Sequence, residues 1–347
     1  MSDTMLAERF YAQDRSIHLE EIPVPHPGPG QVVIKVEYCG ICHSDLSLIS
    51  GKFPPSLPVV TQGHEASGTI VEIGAGVTGW NVGDRVIPSA GQPCMKCRKC
   101  RRGDFANCLH LHLMAFAYDG AWAKYHVTSA MGLTKIPDNV RMDQAALLAD
   151  AVSTPYAAVV RTGQVHPGNA VAVWGVGGVG SHLVQLARIA GAVPLIAIDL
   201  NDEVLARAKR LGADSTFHSD DPDLMKKIED ATHGRMIDVA FDAVGISATV
   251  RAAVESLDVN GKAVSLGLSD QNIDAGPFLD FNLGFKQLRG HLGYKSQDIG
   301  VLAEMLSFGR LDLSESISAV VSLEEVEKGI TMLTEHIGNP IRILVKP

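Results

Sequence analysis

The sequence predicts an α/β fold in which a doubly wound parallel sheet is joined to a separate β-rich domain. From about residue 154, continuous apolar runs alternate with amphipathic helical patterns, which is typical of parallel strands buried on both faces. Before that point the apolar runs are short, and turn-forming Gly and Pro residues separate them. A chain of 347 residues is long enough for about two such domains.

The predicted elements of the β-rich part are short. Residues 31–36 (QVVIKV) and 69–73 (TIVEI) predict strands, and the Val-Gly-Asp sequence at 82–84 predicts a tight turn. The pattern after about residue 290 is less regular and ends in a predicted strand at 341–345 (IRILV).

The second part predicts a regular alternation of strands and helices. Buried strands are predicted at 170–174, 195–198, 237–241 and 263–266. Helices are predicted at 181–190 and 201–211, each closed by a glycine, and Asp221-Pro222 predicts the start of a third. Such alternation predicts a parallel sheet with right-handed crossovers.

Charge and hydropathy argue against two classes of partner. The formal net charge of −9 disfavours nucleic acid, and no apolar run approaches the about 18 residues that a membrane span requires. The charged N-terminal residues lack the apolar core of a signal peptide, so we expect a cytoplasmic protein with reduced thiols.

Four of the six cysteines lie within fifteen residues: Cys94, Cys97, Cys100 and Cys108. Four thiolates at this spacing are typical of a closed, structural zinc site, because they leave no open coordination position. Disulfides are the alternative, but a reducing compartment favours metal binding. The Lys and Arg residues between these cysteines can offset the net −2 charge of such a site.

A second group of metal-type residues contains Cys42, His64, Glu65 and Asp150. A thiolate, an imidazole and one further protein ligand would leave the open position that a catalytic zinc needs. Asp150 has two interpretations that spacing cannot separate. It is either the third ligand or the N-cap of a helix that starts near residue 152.

A glycine-rich turn between a predicted strand and a predicted helix matches G-x-G-x-x-G. Its residues are Gly175, Gly177, Gly178, Val179 and Gly180. Asp199 follows at the end of the next strand, where a carboxylate can bind the adenosine ribose and repel a 2′-phosphate. The turn therefore predicts a dinucleotide site that favours NAD over NADP. Arg207, on the following helix, is expected to face solvent.

Together these motifs resemble those of the zinc-dependent medium-chain alcohol dehydrogenases. The resemblance includes G-I-C-H-S-D at 40–45, G-H-E at 63–65, V-G-D-R-V at 82–86, the cysteine loop, the glycine turn and the R-I-L-V ending. It implies a GroES-like catalytic domain (residues 1–153 and 290–347) and a Rossmann domain (154–289). It also implies two zinc ions per chain, NAD, and a homodimer or homotetramer.

The resemblance assigns roles to individual positions. Cys42 and His64 match ligands of the catalytic zinc, and Asp150 lies where most members have a third, cysteine ligand, which favours the ligand interpretation. Glu65 matches an acid that can approach the metal. The remaining matches are Asp45, which would orient His64, and His43 and Arg342, which would face the cofactor phosphates.

The implied reaction is the reversible oxidation of a primary or secondary alcohol to an aldehyde or ketone, with hydride transfer to NAD⁺. Ser44 would take the hydroxyl proton. Many relatives continue this relay through a histidine at the position of Ser47, so either water or His43 would complete it here. A bulky, apolar alcohol is expected, with Phe53, Met114, Phe116 and Leu292 as pocket or core residues.

Three alternatives remain at the level of sequence. A polyol or sugar dehydrogenase of the same superfamily would carry a different motif around residues 147–156. A zinc-free enoyl or quinone reductase would lack the ligand motifs. A nucleotide-binding protein without catalysis would need no open metal site.

Overall fold

The computed structural model describes residues 3–347, which divide into two compact units. One unit contains the chain up to Ser153 together with Tyr294–Pro347, and the other contains Thr154–Gly293. Among the described residues the longest helices have 12 residues, and no helix is long and apolar enough to cross a membrane.

The N-terminal part of the first unit consists mainly of strands. They are β1 (Thr4–Tyr11), β2 (Ser16–Pro23), β3 (Gln31–Ile41), β4 (Val59–Thr61), β5 (Glu65–Ile73), β6 (Arg85–Pro88), β7 (Gly91–Gln92), β8 (His112–Leu113), β9 (Tyr125–Ser129) and β10 (Leu133–Lys135). Two short helices, α1 (His43–Ile49) and α2 (Met142–Leu147), accompany them, and α3 (Ser153–Ala157) begins at the unit boundary. Two 3₁₀-helices cover Cys100–Arg102 and Ala130–Gly132.

The second unit alternates strands with helices after a π-helical turn at Ala158–Gly163. Its strands are β11 (Val171–Trp174), β12 (Leu195–Asp199), β13 (Ser215–His218), β14 (Ile237–Asp242), β15 (Leu257–Ser265) and β16 (Gln287–Gly290). Its helices are α4 (Gly178–Ile189), α5 (Asp202–Arg210), α6 (Leu224–Ala231), α7 (Ser247–Glu255) and α8 (Phe278–Leu283).

The chain then returns to the first unit through α9 (Ser296–Ser307), β17 (Ile317–Ser322), a 3₁₀-helix at Leu323–Glu325, α10 (Val326–Thr334) and β18 (Arg342–Lys346). There, β18 pairs with β3, so the last strand completes the sheet that the early part of the chain begins.

The second unit has the sheet order β13-β12-β11-β14-β15-β16, and every pairing is parallel. This order, in which the chain starts in the middle and winds outward in both directions, is that of the dinucleotide-binding Rossmann fold. It confirms the predicted doubly wound sheet. Buried apolar side chains such as Ala172, Trp174, Ile196 and Ala240 form its core.

In the first unit the main sheet has the order β10-β6-β5-β3-β18-β17, with β9 also paired to β3. The strand predicted at 31–36 extends to Ile41, and the strand predicted at 69–73 begins at Glu65. These extensions pair with each other, since Gly40 lies opposite Glu65. The sheet therefore brings the G-I-C-H-S-D motif at 40–45 next to the G-H-E motif at 63–65.

The predicted start of the third helix of this unit was wrong. The helix expected to open at Asp221-Pro222 begins at Leu224. The Asp221 carboxylate instead accepts the backbone N–H of Asp223 at 2.9 Å, which closes a turn before the helix.

Candidate metal centres and dinucleotide site

Cys42 lies where β3 ends and α1 begins. It is the N-cap residue of α1, and its backbone N–H donates to Oδ2 of Asp45 at 2.9 Å. This reciprocal capping fixes the direction in which the chain leaves the strand. The Cys42 thiol is consequently held at the end of the sheet rather than on a mobile loop.

His64 precedes β5, the strand paired with β3. Its ring is buried, and Nδ1 lies 3.3 Å from Oδ1 of the fully buried Asp45. A carboxylate at one imidazole nitrogen fixes the tautomer and leaves the other nitrogen available to a metal. Asp45 thus lies where the sequence predicted an orienting acid.

The carboxylate of Asp150 approaches both predicted ligands. Its Oδ2 lies 3.8 Å from Sγ of Cys42 and 3.6 Å from Nε2 of His64. Donors bound tetrahedrally to one zinc ion at about 2.1–2.3 Å lie about 3.4–3.8 Å apart. Helix α3 begins at Ser153, near the predicted start, so its N-cap position is residue 152 and not Asp150. The geometry therefore fits the ligand interpretation of Asp150 better than the N-cap interpretation.

Glu65 completes a four-residue cluster whose donor atoms all lie within 4.8 Å of one another: Cys42, His64, Glu65 and Asp150. Both Glu65 oxygens are buried without a hydrogen-bond partner. Gly40 makes room for them, since a Cβ at residue 40 would lie 2.0 Å from Oε2 of Glu65. A buried acid whose oxygens accept no hydrogen bond is costly, so this donor set fits a divalent cation.

Arg342 is 1% exposed and lies beside Glu65. That it faces the cofactor phosphates stays a prediction. Its Nε lies 3.4 Å from Oε2 of Glu65, and Nη1 donates to the carbonyl of Ile41 at 3.0 Å. A buried guanidinium requires a carboxylate partner, and Glu65 supplies it. Arg342 therefore stabilises the Glu65 carboxylate of the metal-type cluster.

The cluster is electronegative. Burial disfavours the charged imidazole of His64, but Asp45, Asp150 and Cys42 outweigh burial and raise its pKa. Burial, opposed by Arg342 and reinforced by Asp150, raises the pKa of Glu65 to about 7. Both shifts mean that the site attracts positive charge, whether protons or a metal ion.

Two serines of α1 have different surroundings. The hydroxyl of Ser44 lies 3.3 Å from Nε2 of His64, beside the cluster. The hydroxyl of Ser47 donates to the backbone carbonyl of His43 at 3.0 Å. Ser44 is therefore close to any ligand of the cluster, whereas Ser47 is occupied within its own helix.

Aromatic side chains adjoin the cluster on one side. The rings of His64 and Phe116 have centroids 5.9 Å apart, and Phe53 packs edge-on against Phe116 at 6.4 Å. Met114 is fully buried in the core of the sheet, and Leu292 is 78% exposed. Of the four predicted pocket residues, Phe116 therefore lies beside His64, and Phe53 packs against Phe116.

Sequence reasoning missed Tyr294. Its hydroxyl accepts the backbone N–H of Ala90 at 3.0 Å. Burial, together with the nearby charge of Asp150, raises the pKa of the phenol. No motif surrounds Tyr294, so only the fold could bring it to the cluster.

The four loop cysteines form the second metal-type cluster: Cys94, Cys97, Cys100 and Cys108. The sulfur of Cys97 lies 3.5 Å from that of Cys100 and 3.9 Å from that of Cys108. These distances bracket the about 3.8 Å expected between thiolates on one tetrahedral zinc. All four are free thiols, and the N–H of Cys94 donates to the Cys108 sulfur at 3.2 Å. The donor set fits a structural zinc ion.

The glycine turn connects β11 to α4, which begins at Gly178. Gly175 has φ +79°, and a Cβ on Gly180 would lie 1.8 Å from the carbonyl oxygen of Gly175. By contrast, a Cβ on Gly177 would have no atom within 4 Å. The first and third glycines thus shape the turn, and the second leaves open space where a pyrophosphate can approach the start of α4.

Asp199, the last residue of β12, binds the same turn. Its Oδ2 accepts the N–H of Val176 at 2.8 Å, and Oδ1 accepts those of Leu200 and Asn201 at 2.8 and 3.1 Å. Arg207 does not point away into solvent as predicted. Its Nη2 donates to the carbonyl of Val176 at 3.1 Å.

His43 lies near positively charged side chains. Desolvation, followed by the charges of Arg342, His336 and Lys52, lowers the pKa of His43 to about 4. The His43 ring is therefore neutral near pH 7, with the cations Arg342 and Lys52 nearby. That His43 faces the cofactor phosphates stays a prediction.

Comparisons with known proteins identify the family. Residues 28–138 match the alcohol dehydrogenase GroES-like domain, and residues 178–308 match the zinc-binding dehydrogenase domain. An S-(hydroxymethyl)glutathione dehydrogenase of Escherichia coli is 32% identical, and the match covers 97% of this chain and 98% of the relative. The chain belongs to the zinc-dependent medium-chain alcohol dehydrogenase family. Membership confirms the resemblance drawn from the motifs.

Solved structures of family members agree with this assignment. An alcohol dehydrogenase from Thermus sp. ATN1 is 28% identical with a TM-score of 0.90, and the match covers 99% of both chains. A protein from Sinorhizobium meliloti bound to NADP is 26% identical with a TM-score of 0.92 over the full length of both. As a member of this family, the present protein oxidises alcohols with a nicotinamide cofactor and zinc. Its two metal-type clusters fit two zinc ions.

Proposed function

We propose that Cys42, His64 and Asp150 bind the catalytic zinc of an NAD-linked alcohol dehydrogenase, and that Ser44 takes the proton of the alcohol. The approach of the Asp150 carboxylate to within 3.8 Å of Cys42 Sγ and 3.6 Å of His64 Nε2 is the main support. Three protein donors leave one position open, as catalytic zinc requires.

When bound, zinc lowers the pKa of a coordinated hydroxyl and NAD⁺ accepts the hydride. The side chains of the protein orient the zinc ligands and transfer the proton. Asp45 holds the His64 ring so that Nε2 faces the cluster. Ser44, 3.3 Å from that nitrogen, is placed to receive the proton. Since the hydroxyl of Ser47 is bound to a backbone carbonyl, His43 or water would pass the proton on.

Arg342 has a supporting role in this proposal. Its guanidinium keeps Glu65 close to the cluster without making that carboxylate a permanent ligand. His43, with its cationic neighbours, would face the cofactor phosphates.

The dinucleotide would bind at the turn between β11 and α4. Gly177 offers space to the pyrophosphate, and the free N–H groups of Gly178, Val179 and Gly180 would hold it. Asp199 would bind the adenosine ribose, which favours NAD. A family member that binds NADP shows that this preference must be tested in each chain.

The substrate we propose is a bulky, apolar primary or secondary alcohol. The adjacent rings of Phe53 and Phe116 offer apolar contact beside the cluster, which suits an alkyl or aryl group better than the hydroxyls of a polyol. The thiol adduct in the name of the E. coli relative is a further substrate to test.

Zinc content and turnover test the proposal together. The purified protein should contain two zinc ions per chain, and it should reduce NAD⁺ with aryl or long-chain alcohols but poorly with sorbitol. Cys42→Ser should contain one zinc and lose turnover while it still binds NADH. Cys39→Ala, which removes a buried thiol outside both clusters, is the matched control and should keep both ions. Active protein without zinc would overturn the proposal.

We also propose a homodimer or homotetramer in a reducing cytoplasm. Within the described residues β16 is the end strand of its sheet, and the adjoining Phe278, Leu279, Leu283 and Phe285 are at least 67% exposed. An open strand edge beside exposed apolar residues suits a second copy of the chain. Light scattering after chromatography tests this, with Leu279→Lys expected to weaken association.

The six free thiols support the proposal of a reducing cytoplasm.

A further inference from the structure

Two oppositely charged side chains hold one residue of the glycine turn. Oδ2 of Asp199 accepts the N–H of Val176 at 2.8 Å, and Nη2 of Arg207 donates to the carbonyl of Val176 at 3.1 Å. The hydroxyl of Ser181 donates to the same carbonyl at 2.9 Å. The second residue of the turn therefore lies between an anion from β12 and a cation from α5.

These contacts place a guanidinium at the adenosine end of the proposed dinucleotide site. A carboxylate at the end of the second strand meets the adenosine ribose, and a 2′-phosphate there would be repelled by it. A guanidinium has the opposite preference, because its planar donors bind phosphate oxygens in pairs. Arg207 and Asp199 reach the backbone of the same residue, so both charges act on the same part of a bound cofactor.

We propose that Arg207 is the second determinant of cofactor choice in this enzyme. It aligns the turn for either cofactor through Val176, and it binds the 2′-phosphate of NADP once the Asp199 carboxylate is removed. The preference for NAD then arises because the Asp199 carboxylate repels a 2′-phosphate that Arg207 would otherwise bind. This inference rests on the proposed function of the turn as the NAD site.

Four variants of the full-length enzyme test it: Asp199→Ser, Asp199→Ser/Arg207→Met, Asp199→Ser/Arg207→Lys and Asp199→Ser/Arg210→Met. Arg210 lies on the same helix and is exposed, so its loss controls for a general change in charge. Binding of NADH and NADPH is measured by fluorescence titration, and kcat and KM are measured separately for NAD⁺ and NADP⁺.

Asp199→Ser should gain at least about tenfold in NADPH affinity and in kcat/KM for NADP⁺, which corresponds to one charged hydrogen bond. Adding Arg207→Met should remove that gain through KM, Arg207→Lys should restore part of it, and Arg210→Met should leave it unchanged. The inference is overturned if Asp199→Ser gains nothing, or if the Arg207→Met double variant keeps the gain. A wild-type protein that fails to bind NADH would instead refute the proposed function.

Discussion

Oδ2 of Asp150 lies 3.6 Å from Nε2 of His64, and the same oxygen lies 3.8 Å from the sulfur of Cys42. An aspartate thus occupies the place where most members of the family have a cysteine. The proposed ligand set is harder than the usual one of the family, because a carboxylate would replace one of two thiolates.

The first prediction concerns this aspartate. Asp150→Asn removes the anionic oxygen donor with little change in shape, so one zinc should be lost and turnover should fall at least about 100-fold. Asp150→Cys restores an anionic ligand and should keep two zinc ions. Elemental analysis and NAD⁺ reduction provide the measurements. Full zinc content in Asp150→Asn would support the capping interpretation instead.

The second prediction separates the structural cluster from the catalytic one. Cys100→Ser should lower the melting temperature by about 5 °C or more, because structural zinc contributes folding free energy and few apolar contacts hold this loop. Cys42→Ser should change the melting temperature much less. Differential scanning calorimetry of both variants, with and without a chelator, distinguishes them. Equal melting temperatures would contradict a structural role for the loop.

Much of this arrangement could be predicted from local sequence. The cysteine spacing and the strand-glycine-helix pattern each place their chemistry within a short segment, so Cys94–Cys108 and the Gly175–Gly180 turn needed no knowledge of distant contacts. The helix after the turn was expected at 181–190 and begins at Gly178, since glycines that serve a tight turn hide the helical pattern.

Some side-chain positions could not be predicted, because the residues they contact lie far away in the sequence. Arg342 is buried because Glu65 neutralises it, and nothing near residue 342 reveals that carboxylate. Arg207 was expected in solvent because it belongs to a polar helix, yet a carbonyl of the glycine turn attracts its side chain. Tyr294 comes near the charge of Asp150 only through tertiary folding.

The third prediction tests the proton acceptor. Ser44→Ala should reduce kcat by about 10²–10⁴-fold, the range for loss of a positioned proton-transfer group. Zinc content and NADH affinity should remain. Ser47→Ala is the matched control from the same helix and should stay within about twofold of the wild type, since its hydroxyl only caps the carbonyl of His43. Equal losses in the two variants would remove Ser44 from the relay.

The fourth prediction concerns stability and pH, away from both clusters. Glu8 is 5% exposed, and burial, followed by the charges of Glu327 and Glu20, raises its pKa to about 7. An acid whose pKa is raised on folding favours its neutral form, so stability is fully present below about pH 4.5 and declines as pH rises towards 7.

Glu8→Gln removes this dependence. At pH 8 the variant should be more stable than the wild type by about 1–3 kcal/mol, and near pH 4.5 the two should be similar. Denaturant unfolding at both pH values measures the difference. Glu21→Gln, an exposed change on the neighbouring strand, should have no such effect. A variant that is less stable at pH 8 would show that Glu8 is ionised and paired in the folded protein.

The fifth prediction compares two glycines of the dinucleotide turn. Gly180→Ala should destabilise the second unit itself, because the new Cβ would lie 1.8 Å from the carbonyl oxygen of Gly175. Gly177→Ala meets no protein atom within 4 Å, so its melting temperature should stay near that of the wild type. Its methyl group would nevertheless occupy the space that the pyrophosphate needs, and NADH affinity should fall by about tenfold or more. Thermal unfolding and NADH fluorescence titration measure the two effects, and unchanged NADH affinity in Gly177→Ala would place the pyrophosphate elsewhere.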